Sequence, residues 1–458
     1  MGMSSPGKAF CRGPLPRREF LRAGALALGG LTLSELLAAR AAAGKGAADT
    51  TVILFWMWGG PSQLETWDLK PQAPSEYRGP FQPIATTVPG MEICELFPLQ
   101  ARQAHRFSLI RSLHHEMAAH NDGSIELLTG KTPSQPDPTS TAFSEHPDFG
   151  MIASRARGTR ADGLPQYVGI PRQPFMTRPQ YLGASHAAFA TGDPSAKTYA
   201  PPNLTLSAGV DGSRLGDRRH LVSQFDRLRR DLDLHGTLHG IDAFRAQALE
   251  MLVNPSIATA FDMSQESDST RDRYGRHLWG QSCLLARRLA EAGTAVITID
   301  ALAPTLSDRY FSWDDHINPT TRWDLVDAMR YRAPFMDQGL SALIDDLFTR
   351  GLDRKVLVVA CGEFGRTPRL VNYSGLTGRD HWPQAMSALI SGGGLQMGQV
   401  IGATNSKAEY PSEQPLTPRD LLATMYRHLG VDPQIELADF FGRPVRILSD
   451  GDPIRGLI

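Results

Sequence analysis

Five short apolar runs punctuate the chain: Thr51–Trp58, Phe107–Arg111, Ala295–Asp300, Lys355–Cys361 and Met386–Ile390. Each has the length of a strand, and the first stops at Gly59-Gly60, so each predicts a buried strand. Runs that lack polar alternation suit strands covered on both faces, as in a parallel sheet between helical layers. Between them the apolar period lengthens. Gly280–Ala292 repeats apolar residues at helical spacing and stops at Gly293, and Ala333–Arg350 does the same before entering the Lys355 run. Helix followed by strand, repeated, is the α/β pattern. It predicts one sheet with the Thr51, Phe107, Ala295 and Lys355 strands at its centre. Asp217–Met251 is charged and helical, with Leu221, Phe225, Leu228 and Leu232 along one face, and reads as a solvated surface over an apolar stripe. Residues 131–212 are rich in Pro, Gly, Ser and Thr and poor in periodicity, which predicts a loop-rich insertion that shapes a site.

The N-terminus carries a different pattern. Arg17-Arg18 is followed by Glu19, Phe20 and Leu21, then by a charge-free apolar run from Ala23 to Leu33, and small residues close the segment at Ala41–Gly44. A basic start, a short apolar middle and a small-residue end predict an export signal over residues 1–43 of the twin-arginine type. The run is too short to span a bilayer, which needs about 20 apolar residues. The expected partner is therefore the twin-arginine export machinery. The expected location of the domain over residues 44–458 is the periplasm or the exterior.

Charge narrows the function classes. The 47 basic and 48 acidic residues nearly cancel, so the electrostatic footprint of a nucleic-acid-binding protein is missing. Beyond the signal remain Cys94, Cys283 and Cys361, an odd number without close spacing. They predict neither a disulfide framework nor a zinc knuckle, and read as buried small hydrophobes.

Candidate chemistry gathers just after the predicted strands, where parallel sheets open their sites. Glu65 and Asp68 follow the first strand. His114, His115, Glu116, His120 and Asp122 follow the second. Asp314 and His316 follow the third, and Glu363 and then His381 follow the fourth. A single histidine says little, but histidines and carboxylates in phase with the strands are the donors a divalent ion uses. The expected metal ligands are Asp314, His316, Glu363 and His381. His120 lies in the cluster after the second strand, near these four.

Several motifs carry a family resemblance: Gly59-Gly60-Pro61-Ser62, Cys283–Gly293, Trp313-Asp314 with His316, Gly362–Pro368 and Gly378–Trp382. With the segment Leu416–Gly442, they make the chain from Ile53 to Ile458 resemble a secreted bacterial family of unknown function in the alkaline phosphatase and sulfatase superfamily. The resemblance implies a three-layer α/β sandwich with a mostly parallel central sheet. It also implies a divalent cofactor (zinc, calcium or another ion) and a small-molecule or polysaccharide ester as substrate. Departures stand beside it. Leu127–Gly130 matches the end of the sulfatase nucleophile motif, and this places His120 where the nucleophile belongs. The resemblance thus makes His120, with Asp122, the expected catalytic pair, and His120 could serve as ligand or base ahead of nucleophile. The metal-binding Asp-His-Gly of sulfatases reads Glu363-Phe364-Gly365, and Trp58-Gly59 stands where the first-strand Asp belongs. Two functions follow: a metal-dependent hydrolase of phosphate or sulfate esters, or a non-catalytic binding or scaffolding relative with a degenerate site.

Overall fold

The computed structural model describes residues 49–201, 254–305 and 311–458. The signal and the Asp217–Met251 helix expected above lie outside the described residues. Eight strands form one sheet: β1 Thr51–Trp56, β2 Phe107–Leu113, β3 Tyr167–Ile170, β4 Phe189–Ala190, β5 Val296–Asp300, β6 Val356–Cys361, β7 Met386–Gly392 and β8 Val400–Ile401. Their order is β8-β2-β7-β6-β1-β5-β3-β4. Every neighbouring pair is parallel except the two that β7 makes, with β2 and with β6, which are antiparallel.

All five predicted runs are strands of this sheet, with two corrections. The Phe107 strand sits next to the edge rather than at the centre. The Met386 strand runs against its neighbours, for a reason visible in its connection. Parallel neighbours need a crossover, usually a helix. Residues 362–385 contain only small antiparallel pairs, Gly365–Arg366 with His381–Trp382 and Val371–Tyr373 with Leu376–Gly378. The chain therefore turns back at the edge where β6 ended, and β7 starts there.

Five helices cover the sheet: α1 His120–Thr129, α2 Phe149–Arg157, α3 Leu278–Ala292, α4 Leu325–Thr349 and α5 Pro418–Leu429. Alternate residues of β1 point to opposite faces. Ile53 and Phe55 share a core with Leu284, Leu285, Leu340 and Leu343 of α3 and α4. Val52, Leu54 and Trp56 share a second core with residues of α1, α2 and α5. The fold is thus the expected three-layer sandwich with a mostly parallel central sheet. Helix α4 begins well before the predicted Ala333. Asp324 caps it by accepting from Val326 N at 2.9 Å and Asp327 N at 3.1 Å, and the helix continues through Pro334. A proline inside a helix removes one hydrogen bond and crowds the preceding turn, which is why the sequence pattern reads as a new helix start there.

The three cysteines are buried and unbridged. Burial pushes the Cys94 thiol up to about 12 and raises those of Cys283 and Cys361 as well, so none carries a reactive thiolate near neutrality. Among the described residues no helix is long and apolar enough to cross a membrane.

Candidate functional site

Trp56 pairs with Asp300 on one side and Cys361 on the other, so the loops leaving β1, β5 and β6 start side by side. Gly59 and Gly60 let these loops close up. Gly59 has φ +109°, and a Cβ there would lie 2.5 Å from the backbone nitrogens of Trp313 and Asp314. A Cβ on Gly60 would lie 2.5 Å from the Phe364 ring. Only glycine permits this approach. Trp313 N donates to Trp58 O at 3.0 Å, and the Trp313 indole donates to Ala301 O at 2.9 Å. These bonds fix the backbone that carries Asp314.

Four predicted residues meet at this edge. Asp314 is their hub. Its Oδ2 lies 2.9 Å from His316 Nε2 and 3.2 Å from His120 Nε2. Its Oδ1 lies 3.2 Å from His381 Nε2 and accepts from Arg366 Nη2 at 2.5 Å. The His120 and His381 rings are 4.3 Å apart between centroids. His120 is the first residue of α1, which follows β2 and so starts at the same edge. His381 precedes the reversed strand β7, and this reversal delivers it to the same place.

Both inner imidazoles are held through Nδ1. His120 Nδ1 lies 2.6 Å from Glu363 Oε1, and His381 Nδ1 lies 2.7 Å from Ala118 O. A backbone carbonyl only accepts, so His381 carries a proton on Nδ1, and Nε2 is the nitrogen that faces Asp314 and that a bound ion could use. Glu363 orients His120 in the same way. It is fully buried, and its carboxylate is compensated by Gly59 N at 2.8 and 3.1 Å as well as by His120. His120 Nε2 is buried and has no well-directed hydrogen bond of its own.

The electrostatics follow from Asp314. Burial alone would raise its pKa, but the Arg366 charge and the three imidazoles hold it far below the usual carboxylate range. Burial would lower the pKa of His120; its bonds to Asp314 and Glu363 overcome this and push it up to about 9. His316 is raised by its bond to Asp314. Without an ion, the cluster therefore balances its charge with a proton on His120.

The residues present fit one divalent ion and not two. His120, Asp314 and His381 each offer one donor atom, all within 4.8 Å of one another. Two imidazoles oriented through Nδ1 by an acceptor have the arrangement that metal-binding histidines use. His120 Nε2, whose one contact is the poorly directed approach to Asp314 Oδ2, is the atom an ion would satisfy. Among the described residues a second ion finds no ligands. Glu363 is committed to Gly59 and His120, which places it behind a ligand rather than among the ligands. Glu65 is locked in a buried pair with Arg379 at 2.8 Å and also accepts from Ser62. Asp68 is held by Lys70 at 2.9 Å, Arg111 at 3.5 Å and Thr404.

Asp122 does not join the cluster. It stands two residues, about 200°, around α1 from His120. There its Oδ2 accepts from Asp137 N at 2.7 Å, and burial raises its pKa. His115 supports the site from behind, with Nε2 2.6 Å from Glu363 O, and burial pushes its pKa down to about 4. The sequence reading gave Arg366 no role, although it is central here. Fully buried, it binds Gly59 O, Gly60 O at 2.8 Å and Asp314. The available signal was a cation three residues after a strand-end Glu, with Phe364 and Gly365 between.

A family model described as "Protein of unknown function (DUF1501)" matches residues 49–458, and the chain belongs to that family. A search of the curated proteins finds no match. Among solved structures, the chain is similar to a lipoteichoic acid synthase from Listeria monocytogenes, at 9% identity and TM-score 0.38, over 88% of this chain and 76% of that one. It is similar to a 2-O GAG sulfatase at 12% identity and TM-score 0.40, over 84% and 71% of the two chains. It is also similar to a phosphonate monoester hydrolase from Silicibacter pomeroyi at 13% identity and TM-score 0.33, over 88% and 75%.

Proposed function

We propose that this member of the DUF1501 family is an exported hydrolase of phosphate or sulfate esters that depends on one divalent ion, with extracellular polysaccharide esters among its substrates. The observation that carries the reading is the convergence of His120 Nε2, His381 Nε2 and the Asp314 carboxylate, with both imidazoles oriented through Nδ1. Two nitrogen donors and one carboxylate favour a zinc-class ion over calcium, which takes oxygen ligands. Held there, such an ion would supply Lewis acidity toward an anionic ester oxygen.

The chain's own residues supply the rest. Arg366 anchors Asp314, and Glu363 holds a proton on His120 Nδ1, so that Nε2 is the nitrogen that would give up its proton to an ion. Both His120 nitrogens are then engaged, which makes this residue a ligand and not the attacking group. His316 is the most exposed imidazole of the cluster, with 42% of its side chain accessible. Its Nε2–H, now directed at Asp314, is placed to protonate a leaving alkoxide. The N-terminus of α1 opens onto the same point and favours an anionic group.

A second reading has its own observation. The Arg366 bond to Asp314 and the proton on His120 already neutralise the cluster, as a metal-free scaffold would require. One experiment separates the two. Zinc-loaded protein should turn over members of a panel of phosphate and sulfate esters, and a chelator should stop it. A correctly folded, zinc-loaded protein that turns over none of them would favour the scaffold.

The export part of the proposal rests on Arg17 and Arg18. Replacing both with lysine should leave uncleaved chain in the cytoplasm in a fractionation experiment. Normal export of that variant would exclude the twin-arginine route.

A further inference from the structure

An aromatic strip leads away from the candidate centre. Trp58 packs against His120 with ring centroids 5.0 Å apart, and Phe175 packs on Trp58 at 5.5 Å with an edge-on angle of 69°. Phe175 and Phe143 are 41% and 52% exposed. The Arg178 guanidinium lies 3.9 Å over the Phe143 ring, and its Nη1 donates to the backbone carbonyls of Phe175 at 2.6 Å and Thr177 at 2.9 Å, which leaves Nε and Nη2 for a ligand. Arg178 has no carboxylate partner among the described residues, whereas Arg366 and Arg379 beside the site are both paired.

The strip is built and not a chance exposure. Ser144, buried, donates its backbone N–H to Met176 O at 2.9 Å and accepts from Arg178 N at 3.0 Å. Asn121, next to His120 on α1, donates to Ala142 O at 2.7 Å. The two loop segments that carry Phe143 and Phe175 are thus tied to each other and to the helix that starts at the centre. Both belong to the loop-rich stretch that the sequence marked as shaping a site.

We infer that Trp58, Phe175, Phe143 and Arg178 form the subsite for the organic half of the substrate, and that this half is a saccharide carrying negative charge. The inference rests on the hydrolase reading above and specifies its substrate class. Exposed aromatic faces suit the C–H faces of a sugar ring, and a few placed polar groups set the orientation. An unpaired guanidinium selects a carboxylate or sulfate substituent, which it can hold with paired hydrogen bonds. A wholly apolar occupant would leave that cation desolvated and unpaired, which is costly.

The test is direct titration calorimetry with tetragalacturonate, an ester-free acidic saccharide, and maltotetraose as the neutral control. The zinc-loaded protein should bind the acidic saccharide at least about tenfold more tightly than the neutral one, with affinity falling as salt rises. Phe175→Ala and Arg178→Gln should each weaken that binding about tenfold or more. Phe175 is exposed and Arg178 half-buried, and unchanged thermal unfolding will show that the variants are folded. Equal binding of the two saccharides, no binding of either, or variants within about twofold of the parent would overturn the inference. Binding needs no turnover, so a failed ester panel would remove the hydrolase reading and leave this result readable by itself.

Discussion

Asp314→Asn should lower kcat/KM on any ester the protein hydrolyses by about 10³-fold, with little change in fold. Several kcal/mol of charge stabilisation come from a bound ion, and each 1.4 kcal/mol is tenfold in rate. Asp314 meets His120, His316, His381 and Arg366 at once, so removing its charge disperses the whole donor set. Glu363→Gln should be milder, about 10- to 100-fold, because Glu363 orients a ligand instead of being one. The order of the two effects is the informative part. Steady-state kinetics that showed Glu363→Gln to be the more damaging would move Glu363 into the ligand set and displace Asp314 as hub.

The largest expected effect on stability lies just behind the site. Asp315 and Arg332 are fully buried and form an ion pair. Arg332 also donates to Ser312 O at 2.6 Å and lies 4.3 Å over the Trp313 ring, and Asp315 accepts from Trp323 Nε1 at 3.1 Å. Removing one partner strands a buried charge, so Arg332→Met should cost about 3–5 kcal/mol in equilibrium unfolding by urea. Removing both charges, in Arg332→Met with Asp315→Leu, should recover part of that loss. The single variant should also loosen Asp314, since the pair pins residues 312–315. A loss under about 1 kcal/mol would place this pair with surface ion pairs, against its burial.

These buried partnerships explain where the sequence stops being informative. The β1, β5 and β6 strands were legible within a residue or two because uninterrupted runs such as Val356–Cys361 declare a doubly covered strand. The first run ends at Trp56 rather than Trp58, since Gly59 and Gly60 take positive φ and turn the chain. Strands β3, β4 and β8 were not legible; four residues or fewer give no period to read. The direction of β7 was also hidden, as it depends on the absence of a crossover helix.

At the site, phase with the strands sufficed to bring Asp314, His316, Glu363 and His381 together with His120. It could not separate Glu363 from the ligands, because this depends on Gly59 N and His120 Nδ1 reaching the carboxylate first. Nor could it show that Asp122 faces away, which is set by where α1 begins. Arg366, although inside the Gly362–Pro368 motif, and Arg332 carry no sequence sign of their burial, because arginine in sequence reads as surface and only tertiary pairing reveals a buried one.

The most direct measurement is the metal content of the purified chain after exhaustive dialysis, by inductively coupled plasma mass spectrometry, with His381→Ala in parallel. One zinc-class ion per parent chain, lost in His381→Ala while the fold is retained, is the predicted result. A folded parent chain without bound metal even after zinc loading, or one whose metal survives His381→Ala, would contradict a site built on His120, Asp314 and His381.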